Sequence, residues 1–393
     1  MNKMEKSVLM FFLILLFYLI MPLASHAADC KSEKLSNKGI FVLEEAKALE
    51  QKDQLDKAIK VLRKYVDNKR NKDHHYLEYF LGQLYVEKKD DKKSLKAFEK
   101  ACKLCPEFLE AWQNAGKILF DLQEYAKAAD YLEKAYYLSK EKDTDIIFAA
   151  ALAYNQSKQS KKAFKILDKI TRSHFSQQYL TAYTSIGISL KKGRQVLKRL
   201  DRALLKKEEP YILKLAANTA LSLNDYKKGV KYLTIYSMAN ETSAKEDRLT
   251  GDLYRALNAP FKAAPFYKKA LSKKNDPKIL KAYLSSLIEA KQFNEALKAT
   301  EQALEEYPEN GEFWKLKGII LYETENFENA YASVLKSMEL TKEMKRMKKT
   351  SLLFTYCACR AGKIHEARKF MSHKARKKHL RKALNILKSY EKK

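Results

Sequence analysis

The stretch EYFLGQLYVEKKDDKKSLKAFEKACKLCP, residues 78–106, decides the fold. Its marker residues are Leu81, Gly82 and Tyr85, then Ser94, Phe98 and Ala101, then Pro106. Thirty-four residues further on, Trp112, Gly116, Ala128, Leu132 and Ala135 fall into the same register. Gly251, Tyr254, Ala263, Tyr267 and Ala270 repeat it, as do Trp314, Gly318, Tyr322 and Ala330. Ala296, Ala303 and Pro308 mark another copy. Self-similarity at a fixed period of this size signals a repeat architecture in which each unit buries its apolar face against the next.

Following the small residue of the first half gives Ala46, Gly82, Gly116, Ala151, Gly187, Ala217, Gly251, Leu284, Gly318 and Thr355. The steps between them stay near 34 residues and count about ten units over residues 38–372. Two units depart from the pattern. The one at Gly187 is followed by a turn at Lys191–Arg194 that reads as shortened, and then by a helix without its small residue. The one at Leu284 carries a large side chain where glycine or alanine stands elsewhere.

The pattern resembles the tetratricopeptide repeat, whose signature runs W-x2-L-G-x2-Y, then A-x3-F, then A and P. The resemblance implies an all-α fold, an α-solenoid forming a right-handed superhelix of helix-turn-helix units. The small residues stand where two backbones touch, and proline ends the second helix. Composition agrees: with 10 glycines and 7 prolines among 393 residues, a turn-rich β fold is disfavoured. Residues 374–391 read as a lone C-terminal helix with an apolar stripe at Leu380, Ala383, Leu384 and Leu387. It would cap the stack.

Residues 1–27 read as a signal peptide. Lys3 and Lys6 precede an apolar run from Val8 to Leu23, and Ala24-Ser25-His26-Ala27 supplies small residues before a cut. Export to the periplasm or the outer face of a bacterial envelope is expected. The rival reading is an uncleaved anchor, though the run falls short of the roughly 20 residues that span a bilayer. Asp29 before Cys30 argues against lipidation.

The net charge is +29, about half of it beyond Thr341. Such a field attracts acidic protein, anionic polysaccharide or lipid headgroups; export removes nucleic acid from the expected partners. In the family the first helices line a groove that holds peptides or partner helices. The residues placed to face it are Tyr76, Tyr79, Gln83, Asn114, Lys117 and Phe120 in the first half, an aromatic and amide set. In the second half they are Lys214, Asn218, Arg248, Arg255, Lys278, Lys281 and Lys315, a basic set. Lys214, Asn218 and Lys278 resemble part of the family's carboxylate clamp, but Leu249 and Ala282 stand where the clamp needs asparagine and arginine.

Catalytic signals are few. Cys102 and Cys105 have thiol–disulfide spacing, yet they lie at the end of a second helix, where the dipole does not favour a thiolate. They are a candidate structural disulfide. His74 and His75 lack further ligands for a metal. No phosphate loop, HExxH or GxSxG occurs. The expectation is a scaffold for protein partners without cofactor or metal, with a binder of anionic polymer as the alternative and a thiol redox protein as a remote third.

Overall fold

The computed structural model describes residues 34–71, 73–341, 348–372, 385 and 388–390. The expected signal peptide lies outside the described residues, as does almost all of the expected capping helix at 374–391. The described residues form twenty α-helices and no strand, in two compact units divided between Lys191 and Lys192. The first unit holds α1 (Asn37–Glu50), α2 (Leu55–Val66), α3 (His75–Glu87), α4 (Asp91–Leu104), α5 (Leu109–Asp121), α6 (Tyr125–Leu138), α7 (Thr144–Gln156), α8 (Ser160–Ile170) and α9 (Gln177–Ser189). The second holds α10 (Gly193–Leu204), α11 (Pro210–Ser222), α12 (Tyr226–Ala239), α13 (Ala244–Ala256), α14 (Pro260–Leu271) and α15 (Pro277–Glu289). It continues with α16 (Phe293–Glu306), α17 (Gly311–Glu323), α18 (Phe327–Leu340), α19 (Lys348–Arg360) and α20 (Ile364–Ser372). Within each unit every helix packs on its sequence neighbours.

Local chemistry sets the helix starts. Side chains of Ser36, Asp90, Asp143, Ser176, Asp225, Asp276 and Asn310 accept bonds from first-turn N–H groups. Ser243 and Glu246 close a reciprocal capping box on α13. Pro210, Pro260 and Pro277 occupy first helical positions, where no amide hydrogen is missed.

The turn inside each helix pair carries one residue with positive φ: Asp53, Lys89, Gln123, Lys158, Lys191, Asn224, Asn258, Lys291, Glu325 and Gly362. There are ten such turns, as many as the repeats counted in the sequence. In nine of them the next N–H donates to the carbonyl five residues back, as Gln54 does to Leu49 and Asp90 to Tyr85, both at 2.9 Å. This is the Schellman closure, and it holds a left-handed residue that would otherwise cost roughly 1–2 kcal/mol.

These turns correct one register assignment. The first-helix small residue lies seven positions before the left-handed residue at Ala46, Gly82, Gly116, Ala151, Ala217, Gly251, Leu284, Gly318 and Thr355. By that rule the residue in the Lys191 repeat is Thr184, not Gly187. Its turn spans the three residues between α9 and α10, as in neighbouring repeats, so it is not shortened. Thr184 is buried with its hydroxyl unpartnered, and Val196 replaces the small residue of the second helix. The repeat with the poorest fit is the one the unit boundary divides.

Packing at the register position explains its size limit. A Cβ on Gly82 would lie 2.6 Å from the Phe98 ring, and one on Gly251 would lie 2.9 Å from Tyr267. Where alanine stands instead, as at Ala46 and Ala151, the residue sixteen on is the smaller Leu62 or Leu167. At Leu284 the sizes are exchanged, because Thr300 stands sixteen on and both are buried.

Tyrosine fills much of the remaining core, with the hydroxyl reaching a carboxylate at the rim. Tyr154 donates to Glu133 at 2.6 Å, Tyr179 to Asp145 at 2.6 Å, Tyr183 to Asp168 at 2.8 Å and Tyr267 to Asp252 at 2.6 Å. The ring supplies buried area while the hydroxyl keeps a partner, which a buried polar group requires. Gly82→Ala should lower stability by about 1–3 kcal/mol through overpacking against Phe98. Adding Phe98→Leu recreates the alanine–leucine pair found elsewhere in the chain and should recover most of the loss, read as the midpoint of urea unfolding.

Candidate recognition surface

In the first unit, α3 and α5 bring four of the expected residues together. Tyr79 sits half-buried, and its hydroxyl accepts from Asn114 Nδ2 at 3.0 Å and from Gln83 Nε2 at 3.4 Å. Tyr76 lies one turn before it, ring centroids 6.3 Å apart, and is 42% exposed. Phe108, at the start of α5, is the hub. It packs against His75 at 5.2 Å, Tyr76 at 6.1 Å and Tyr79 at 4.8 Å. Burial pushes the Tyr79 hydroxyl up to about 12, helped by the Glu110 carboxylate. Burial, with a smaller contribution from His74, pulls His75 down to about 4, so this imidazole is neutral at physiological pH.

The other two expected residues of this half have different settings. Phe120 packs edge-on against Tyr125 of its own repeat, ring centroids 5.1 Å apart. Lys117 is half-buried, and burial holds its ammonium below its ordinary value despite the pull of Asp121.

In the second unit most of the basic set is already paired. Lys214 of α11 meets Glu246 of α13 at 2.9 Å. Arg255 of α13 meets Glu289 of α15 through two bonds, at 2.6 and 3.2 Å. Lys281 of α15 meets Glu312 of α17 at 2.8 Å, and Lys315 meets the same carboxylate oxygen at 2.8 Å. The Lys214–Glu246, Arg255–Glu289 and Lys281–Glu312 pairs each join a cation on one first helix to an acid on the next, so the ladder links successive repeats, while Lys315 pairs within its own helix. Arg248 lies 3.6 Å from Asp252 on its own helix. Lys214 also stands 4.5 Å over the Tyr236 ring, so the leading residue of the partial clamp resemblance is engaged twice over. Lys278 is exposed and makes no ion pair among the described residues; Asn218 is exposed on α11.

The carboxylates respond to these partners. Burial raises Glu246 and Glu312, but hydrogen bonds outweigh it and leave both below the ordinary value of 4.5. The donors are Ser243 and Lys214 for the first, Lys281 and Lys315 for the second. Sequence reasoning named the cations and missed these acids, as it missed Phe108, His75 and Glu110. The recoverable signal was an acid 31–34 residues after Lys214, Arg255 and Lys281, one repeat on.

The candidate Cys102–Cys105 disulfide is not formed. Cys102 is a free, buried thiol, whereas Cys105 is disulfide-bonded. The helix ends between them, and Cys105 is extended at φ −138°, ψ 92°. Burial, then Glu99, pushes the Cys102 thiol up to about 12, the reverse of what a redox nucleophile needs. Cys357 and Cys359 are free and buried, as separate core positions. His74 caps α3 by accepting from the Tyr76 N–H at 3.2 Å, and the described residues hold no metal-binding group.

Models of the tetratricopeptide repeat match residues 79–108, 109–142 and 285–337. With twenty helices packed in sequence order, the chain is a tetratricopeptide-repeat protein. A solved structure of Naa15/Naa10 bound to HypK-THB is 14% identical over 84% of this chain, TM-score 0.47; the chain spans 62% of that protein's length. A tetratricopeptide-repeat protein from Parabacteroides merdae is 15% identical over 64% of this chain and all of its own, TM-score 0.36. YrrB, described as having an unusual peptide-binding site, is 18% identical over 46% of this chain and 93% of its own, TM-score 0.35. No curated protein matches the chain. The repeat architecture is that of a scaffold for protein–protein interaction, a fold that is generally non-catalytic.

The ladder predicts acid sensitivity of a stated sign. Glu246 and Glu312 have folded values below 4.5, so their contribution is full above that pH and is lost as pH falls through the folded values. The thermal midpoint of the full chain should exceed that of Glu312→Gln at pH 6, and the gap should close towards pH 3. A gap that widens on acidification contradicts the ladder. Alkylating the unreduced protein should modify Cys102, Cys357 and Cys359 after unfolding and leave Cys105 unmodified. The peptide that carries Cys105 should then appear cross-linked in the unreduced digest, which mass spectrometry reads directly.

Proposed function

We propose that this chain is an exported, non-enzymatic scaffold of the bacterial envelope that holds a segment of a partner protein on the first helices of its N-terminal repeats. The observation that carries this reading is the contrast between the two sets of expected residues. Around Tyr76 and Tyr79 there is exposed aromatic surface with amide side chains beside it. In the second unit, Lys214, Arg248, Arg255, Lys281 and Lys315 already face carboxylates of the chain itself. Aromatic rings with neighbouring amides suit the apolar and main-chain groups of a peptide. An acidic polymer would have to displace neutralising groups already in place.

Export rests on residues 1–27, and the disulfide at Cys105 supports it, because such bonds persist in oxidising compartments. The raised Cys102 thiol speaks against the thiol redox alternative.

The test is a pull-down from envelope extract with the mature chain from Ala28 onward, washed at low and then at high salt. A discrete protein that survives the high-salt wash and is lost with Tyr76→Ala is the expected result. Recovery of only acidic polysaccharide or lipid, removed by salt, would replace this reading with the polyanion binder.

A further inference from the structure

The second helices of the second unit present a face that the partner-segment reading does not use. Positions 3, 7 and 14 after each left-handed turn residue fall on one side of the second helix, at spacings of four and seven. On α10 they are Arg194, Lys198 and Leu205; on α12 they are Lys227, Lys231 and Met238. All six are exposed, and the four cations make no ion pair among the described residues. Leu205 and Met238, at 88% and 81%, are the most exposed large apolar side chains among the described residues.

The two helices lie side by side, because the Tyr232 hydroxyl of α12 donates to Asp201 of α10. That bond also engages the one acid of α10, and α12 has none. Two cation rows and one apolar row thus run across both helices at matching positions. The combination is local. α14, joined to α12 by Lys269 Nζ donating to the Ser237 carbonyl at 3.2 Å, has Phe261, Pro265 and Ser272 at these positions. In the first unit α4 and α8 carry lysine at the first two positions but end in Lys103 and Arg172.

Four unpaired cations select an anionic surface. A hydrated polyanion leaves Leu205 and Met238 in water. A bilayer offers phosphate to the cations and its acyl boundary to the apolar tips, and stable seating takes both signals. We propose that α10 and α12 dock this chain on an anionic phospholipid bilayer, with Arg194, Lys198, Lys227 and Lys231 among the headgroups and Leu205 and Met238 below them. The proposal goes beyond the partner-segment reading and is independent of it. That reading uses first helices of the N-terminal repeats, whereas this face is built from second helices of the other unit.

Co-sedimentation of the full chain with phosphatidylglycerol–phosphatidylcholine vesicles at physiological salt tests it. Lys198→Glu with Lys231→Glu should weaken binding at least about ten-fold. Lys161→Glu with Lys165→Glu on α8 makes the same change in net charge and should cost less than about two-fold. Leu205→Ser with Met238→Ser leaves the charge alone and should weaken binding about five-fold or more. Met238→Trp should tighten it. All the substituted positions are exposed, so thermal midpoints should not move. Equal weakening by the two charge reversals shows bulk attraction and overturns the proposal. Full binding by the serine pair shows a site for soluble polyanion and overturns it too. Neither outcome touches the envelope pull-down, whose result depends on Tyr76.

Discussion

The close approach of two helices across a three-residue turn is the constraint on which the rest of this structure depends. The left-handed turn residue fixes the phase of both helices. Seven residues before it the first helix must be small, and nine residues after it the second helix sends in the side chain that fills the space. Gly82 with Phe98 and Gly251 with Tyr267 show the limit, since a single added carbon would overlap the ring. Leu284 with Thr300 shows that a large first-helix residue is accommodated where its counterpart on the second helix is small. A stack of such pairs can vary its surface freely while the interior keeps its spacing.

That division explains what could be read from the sequence. The repeat count, the helix pairs and most register positions were legible because volume at the helix contact is written in residue type: glycine, alanine and large apolar side chains at fixed intervals. The Lys191 repeat was misread because Gly187 offered a small residue near the right place. What sets the phase is the turn, and nine of the ten turn residues are Asp, Lys, Gln, Asn or Glu. Asn and Asp tolerate positive φ better than other side chains, but six of the ten turns carry Lys, Gln or Glu, which give no such signal. The hydrogen bond five residues back stabilises the turn without a glycine, and so without a visible mark.

The candidate surface was half legible for a related reason. Tyr76, Tyr79, Gln83 and Asn114 were found because rings and amides at groove positions are uncommon and carry information. Lysines at the same positions do not, in a chain with 77 Lys and Arg. Their meaning depends on which acid lies one repeat on, as Glu246 does from Lys214 and Glu312 from Lys281. A sequence scanned one repeat at a time shows a basic stripe; scanned two at a time, it shows a ladder.

The ladder also bears on how such a surface can discriminate. Exposed ion pairs contribute little to stability, about 0–1 kcal/mol each. An incoming carboxylate therefore gains little by replacing Glu246 or Glu312, because it exchanges one anion for another at the same cation. Discrimination has to come from groups not yet paired, and in the first unit the exposed Tyr76 ring offers such a surface. Net charge then governs the approach of partners to the molecule, while the uncharged and unpaired groups govern which of them stays.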